Sequence, residues 1–224
     1  MLKKHLKNKK IILTILVFII LIGGFFIIKK IEKTKEEFVQ TNQGYYKKET
    51  DLFDVSIGTE EDSSEVVFKV ENSKLSYKLP LEPNWKKNKE GNILAQSGNE
   101  TFKYSFIKEE EKIIGLKGSL ILKEKPKHNV YTFPMNLENI IRSHKASSRE
   151  FYNKKNEKII YMKEPFMIDS NGNQSKDINL RITNTQIALV PSKKWLSDKN
   201  REYPVTVNMS FRVADSIIKS NSQK

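Results

Sequence analysis

The residues best spaced for chemistry lie in the segment DSNGNQSKD, where Asp169, Asn171, Asn173 and Asp177 are two or four positions apart. Hard oxygen ligands on alternate loop residues are what calcium takes. The pattern departs from an EF-hand, because the glycine stands at the fourth loop position and Leu180 occupies the place of the closing bidentate acid. The competing reading is a hairpin turn in which Asn171-Gly172 supplies the positive φ. That reading is preferred, and neither a metal nor a cofactor is expected.

The other candidates lead less far. His5 sits in a lysine-rich head, and His128 and His144 sit in lysine-rich loops with no acid pair nearby. A metal or general-base role needs such partners. The serines lack a setting suited to nucleophilic activation. Glu60-Glu61-Asp62 and Glu109-Glu110-Glu111 are charge runs of the kind found in solvated turns. An envelope hydrolase would need two carboxylates at a defined separation in space. Trp85, in the loop PLEPNWKKNKEGN, is a candidate for stacking on a sugar ring, against the simpler role of a core lid. The absence of cysteine excludes disulfides, thiolate metal sites and cysteine nucleophiles. The expectation is a protein without a catalytic site.

What must position these residues begins with a membrane segment. Residues 11–28, IILTILVFIILIGGFFII, carry no charge. As a helix they span about 27 Å, close to the hydrocarbon thickness of a bilayer. A cleaved signal peptide would need small residues after the run. Here Phe25, Phe26, Ile27 and Ile28 follow the glycine pair, and the first alanine is Ala95. A buried core helix would be amphipathic, and this one is apolar all round. An uncleaved signal anchor fits best. Five lysines precede the run and four follow it closely, a bias that places the N-terminus in the cytoplasm.

The formal net charge is +13, yet residues 1–35 alone hold nine lysines and one glutamate. The excess therefore lies mostly beside the membrane run, where it attracts anionic headgroups. Nucleic acid is not an expected partner. The lipid bilayer is, together with an envelope protein or a cell-wall polymer.

Residues 29–43 are rich in helix formers and have no breaker before Gly44, so a polar helical stalk is expected over 29–49. From about residue 50 the apolar period becomes two. Phe53, Val55 and Ile57 alternate with polar residues, as do Val66, Phe68 and Val70, then Leu75, Tyr77 and Leu79. The same alternation returns in Phe102–Phe106, Tyr131–Leu137, Ile178–Ile182 and Val205–Val213. Glu71-Asn72-Ser73-Lys74, NKKNEK and Thr183–Gln186 read as hairpin turns. The one candidate helix in this region is Leu137–Arg142. The expected fold is all-β, an antiparallel β-sandwich after one N-terminal transmembrane helix. Its parts are a basic cytoplasmic head (1–10), the membrane helix (11–28), the stalk (29–49), an extracytoplasmic sandwich (50–214) and a flexible tail (215–224).

Residues 65–210, best over 158–208, resemble a β-rich module of bacterial wall-associated and RHS-repeat surface and secreted proteins. The matching positions are Pro165, Asp169 and Gly172 in a P-x-x-x-D-x-x-G turn, then Trp195-Leu196, then Tyr203-Pro204-Val205. Asn208-Met209 stands where Asp-Pro is usual. The resemblance implies a non-enzymatic module at or outside the cell envelope. The residues themselves suggest structural anchors. Pro191 ends a strand, and Ser192 caps a short helical turn through Trp195. Trp195 and Leu196 plug one end of the sandwich, and Tyr203 packs its ring inward while its hydroxyl reaches backbone. Pro204 opens the last strand. Trp195, Leu196 and Tyr203 are expected to be buried, with Lys193 on the solvent side.

Overall fold

Aromatic and β-branched residues on every second position make pleated strands with one face able to leave water, and that pattern dictates two sheets. The computed structural model describes residues 37–142 and 148–221. The expected head and the apolar run 11–28 lie outside them. No helix among the described residues is long and apolar enough to cross a membrane.

One sheet has the order β1 (Val39–Gln40), β2 (Tyr46–Glu49), β3 (Asp54–Ile57), β4 (Glu65–Val70), β5 (Ser73–Lys78), β10 (Tyr131–Glu138), β17 (Gln186–Pro191) and β16 (Ile178–Ile182). The other has the order β11 (Ile141–Arg142), β12 (Glu150–Tyr152), β13 (Lys158–Met162), β18 (Val205–Val213), β9 (Lys112–Leu122), β8 (Glu100–Glu109), β7 (Ile93–Ser97) and β6 (Trp85–Lys87). A side branch of β14 (Phe166–Ile168) and β15 (Gln174–Ser175) joins it through β18. The described residues form an all-β fold whose paired strands are antiparallel, consistent with a β-sandwich.

Alternation fixes the register, since a slip of one residue would turn each apolar set toward solvent. Phe68 lies opposite Leu75, and Val66 opposite Tyr77. In the hairpin β16–β17, Leu180 faces Leu189 and Ile182 faces Ile187. Between the sheets, Tyr77 stacks on Phe211 at 5.7 Å and Phe102 meets Phe133 edge-on at 6.2 Å. Each such buried side chain contributes about 1.5–3 kcal/mol. Strands β9 and β18 approach so closely that a Cβ at Gly115 would collide with the Phe211 carbonyl oxygen.

Four segments differ from the sequence expectation. The stalk assigned to 29–49 gives way at Phe38, which is 1% exposed and stacked on Phe106 at 4.3 Å. Gly44, at φ +85°, turns the chain between β1 and β2 and lets Tyr45 and Tyr46 join the core. Burial of three aromatic rings outweighs the helix propensity of residues 38–43, and residues 29–36 lie outside the described part of the chain. The helix considered for Leu137–Arg142 is instead the end of β10, a left-handed Asn139 (φ +57°) and β11. Asn139 Nδ2 donates to the Asn72 carbonyl at 2.9 Å, which anchors that turn. Trp85 opens an edge strand rather than lying in a loop. In the tail, Asp215–Asn221 form a helix whose Ile217 and Ile218 pack on the core.

Candidate functional site

The turn that carries Asp169 links β14 to β15, with Met167 opposite Ser175 and Ile168 opposite Gln174. Gly172 takes the positive φ, +84°. Asp169 is only 4% exposed, so both of its carboxylate oxygens need partners. Oδ1 accepts from the backbone N–H groups of Asn171 at 3.1 Å and Asn173 at 2.8 Å. Oδ2 accepts from Asn173 Nδ2 at 3.0 Å and from Arg201. Burial pushes the Asp169 carboxyl up, but the Asn173 hydrogen bonds and Arg201 together leave it below the ordinary carboxylate range. This is the geometry of a turn and not of a calcium loop. N–H donors and a guanidinium meet the Asp169 oxygens where a cation would have to sit. Asp177 is exposed beyond β15.

Arg201 continues the network. Its guanidinium carbon lies 3.3 Å from the centre of the Trp195 ring, and its Nε donates to the Trp195 carbonyl at 3.1 Å. Trp195 belongs to the short helix Lys193–Leu196, capped by Ser192, whose Oγ accepts from the Trp195 N–H. The Tyr203 hydroxyl donates to the Leu196 carbonyl at 2.8 Å. Five residues thus brace the connection between β17 and β18 against the β14–β15 turn. Leu196 is buried at 2%. Trp195 and Tyr203 differ from expectation in being half-buried, and Pro204 is exposed, because the helix lies over the rim of the core rather than inside it. Lys193 is exposed.

Trp85 sits elsewhere, on the outer strand β6. Its Nε1 donates to the Ser63 carbonyl at 2.7 Å, and its ring meets Tyr104 edge-on at 5.8 Å. A ring held by its own N–H and packed on the core serves as a lid and offers little for sugar stacking.

Two clefts bring acids together. One, of about 180 Å³, is lined by Glu100, Glu124 and His128. There Glu100 Oε1 accepts from the Tyr131 hydroxyl at 3.2 Å and lies 3.7 Å from His128 Nε2. Burial, and then the Glu100 carboxylate, push the Tyr131 phenol up. The second, of about 450 Å³, is lined by Glu150 and Asp215 with Lys158 and Tyr161. Hydrogen bonds from Tyr152 and Lys158 hold the Glu150 carboxyl down, the opposite of what a general acid requires. Among the described residues no group of three His, Asp or Glu side chains is placed to hold a metal ion. His5 and His144 lie outside the described residues.

A third cleft, of about 600 Å³, has walls of Met135, Leu137, Ile140 and Ile182, a rim of Thr183 and Thr185, and Arg142 beside them. No sequence motif marks it, since a single arginine after an isoleucine pair carries no spacing signal. The chain matches no protein-family model, no curated protein and no solved structure.

Proposed function

We propose that the chain is a membrane-anchored, non-enzymatic β-domain with a structural or interaction role on the extracytoplasmic side of a cell envelope. One observation carries the non-enzymatic part. Asp169, Trp195, Leu196 and Tyr203, at the positions shared with bacterial surface modules, form a brace and line none of the three clefts described. Both Asp169 oxygens are taken up by Asn171, Asn173 and Arg201, and the Tyr203 hydroxyl by the Leu196 carbonyl. The anchor rests on the uncharged run 11–28 and the lysines on both sides of it.

Protease added to intact cells or spheroplasts tests the topology. Digestion of residues 38–224 with survival of an N-terminal fragment is the expected result. Complete protection of the domain, with digestion only after lysis, would place it in the cytoplasm and end the proposal.

A further inference from the structure

Three arginines have almost fully buried side chains. Arg201 is paired with Asp169, and Arg212 reaches Glu109 at 2.5 Å. Arg142, 8% exposed, has no carboxylate within ion-pair distance among the described residues. Its Nη1 donates to the Thr183 carbonyl at 3.0 Å and its Nη2 to the Ser148 carbonyl. The Phe151 ring lies 5.4 Å from the guanidinium, and Nε has no acceptor. Arg212 shares an unbonded Nε, so that atom alone distinguishes nothing. What sets Arg142 apart is charge: it is a buried cation neutralised by dipoles and a ring face only. Burial of an uncompensated ion is strongly unfavourable, and native proteins rarely leave one so. The third cleft runs beside this group and lies within the usual volume range of a ligand pocket.

The geometry points to this cleft as a binding site for a carboxylate carried on an apolar group. The guanidinium supplies the only charge among the described lining residues, and no acid lines the cleft to oppose an anion. Met135, Leu137, Ile140 and Ile182 give the apolar part of the ligand a wall, and Thr183 and Thr185 add hydroxyls at the rim. A phosphate would demand several cations or converging N–H donors, whereas one arginine matches a single carboxylate. Two sources carry this chemistry: the C-terminus of a peptide ending in an aliphatic residue, or a free alkyl carboxylate. The inference stands apart from the membrane topology and fails or survives independently of it.

The test is saturation-transfer NMR titration of the full-length protein, solubilised in a nonionic detergent, with N-acetyl-Ala-Leu as free acid, its C-terminal amide, hexanoate and inorganic phosphate. The free acid should bind at least about tenfold more tightly than the amide, roughly the loss of one charge-assisted pair. Tighter binding of the peptide acid than of hexanoate assigns the site to a peptide terminus, and the reverse order assigns it to a free acid. Arg142→Gln should lower the affinity of the acid to that of the amide. Should that variant not fold, Asn136→Glu decides, because Asn136 lines the cleft but is exposed on β10. Its new negative charge should weaken the acid and leave the amide unchanged. Equal affinity for acid and amide, no binding of either acid, or phosphate binding more tightly than both acids would each overturn the inference.

Discussion

The hydroxyls of Tyr77 on β5 and Tyr104 on β8 meet at 3.2 Å between the two sheets, with Tyr77 as the donor. Both rings are about 1% exposed, so neither hydroxyl has water to turn to. Burial pushes both phenols above their ordinary range. Replacing one by phenylalanine leaves the other unsatisfied, at a cost of about 1–3 kcal/mol, while replacing both removes the need for a partner. Tyr77→Phe and Tyr104→Phe should therefore each lower the denaturation midpoint, and the double variant should recover much of the loss. Strictly additive losses in a double-mutant cycle would contradict the pairing.

The brace makes a second test. A fully buried tryptophan truncated to alanine costs about 3–5 kcal/mol, and a half-buried one carrying an arginine on its face about 2 kcal/mol. Trp195→Ala should lower Tm by about 4–8 °C in a domain of this size. Lys193→Ala, on the exposed side of the same short helix, should leave Tm within error. A Trp195→Ala protein of unchanged Tm would remove Trp195 from the list of anchors.

Asp169 gives the brace a dependence on pH. Its carboxyl is held below its unfolded value, so the folded state binds fewer protons than the unfolded chain. Its contribution is complete above the unfolded pKa of about 3.9 and is lost as pH falls through the lower folded value. Asp169→Asn should be the less stable protein at pH 7. The gap between the two should begin to narrow in thermal melts taken below about pH 4 and go on closing as pH falls through the lower folded value. A gap that stayed constant from pH 7 to pH 3 would mean that the ion pair with Arg201 contributes nothing.

The lower boundary of the domain is a fourth. Phe38 is as buried as any core residue, so a fragment beginning at residue 45 loses that side chain together with β1. A fragment of residues 38–224 should melt several degrees above one of residues 45–224, since loss of a buried phenylalanine costs about 3–5 kcal/mol. Equal melting temperatures would show that the segment 38–44 is ornamental.

These comparisons also show where sequence patterns carry information. The hairpins were legible because strict alternation and a local turn specify them within a few residues, as in Leu180 opposite Leu189 across Thr183–Thr185. Ser192 as a helix cap was legible for the same local reason. Phe38 was not, because it lies among good helix formers and its partner Phe106 is far along the chain. The Asp169–Arg201 pair spans thirty-two positions, and neither residue announces the other. Arg142 was invisible for a further reason: its character comes from burial without an acid, a property of packing alone.

The position of β1 has a mechanical consequence. Any pull arriving from the N-terminal side is felt first at the outermost strand of its sheet, whose ladder is only two rungs, Val39 opposite Lys47 and Gln40 opposite Tyr46. The stack of Phe38 on Phe106 and the bond from Lys87 Nζ to the Phe38 carbonyl at 3.2 Å fasten that strand to the opposite sheet, like a stitch at the end of a seam. Under load the stitch gives before the seam. Release of residues 38–45 frees about 27 Å of extended chain, while β2 keeps its own ladder to β3 and the Tyr77–Tyr104 contact stays closed deep in the body of the fabric.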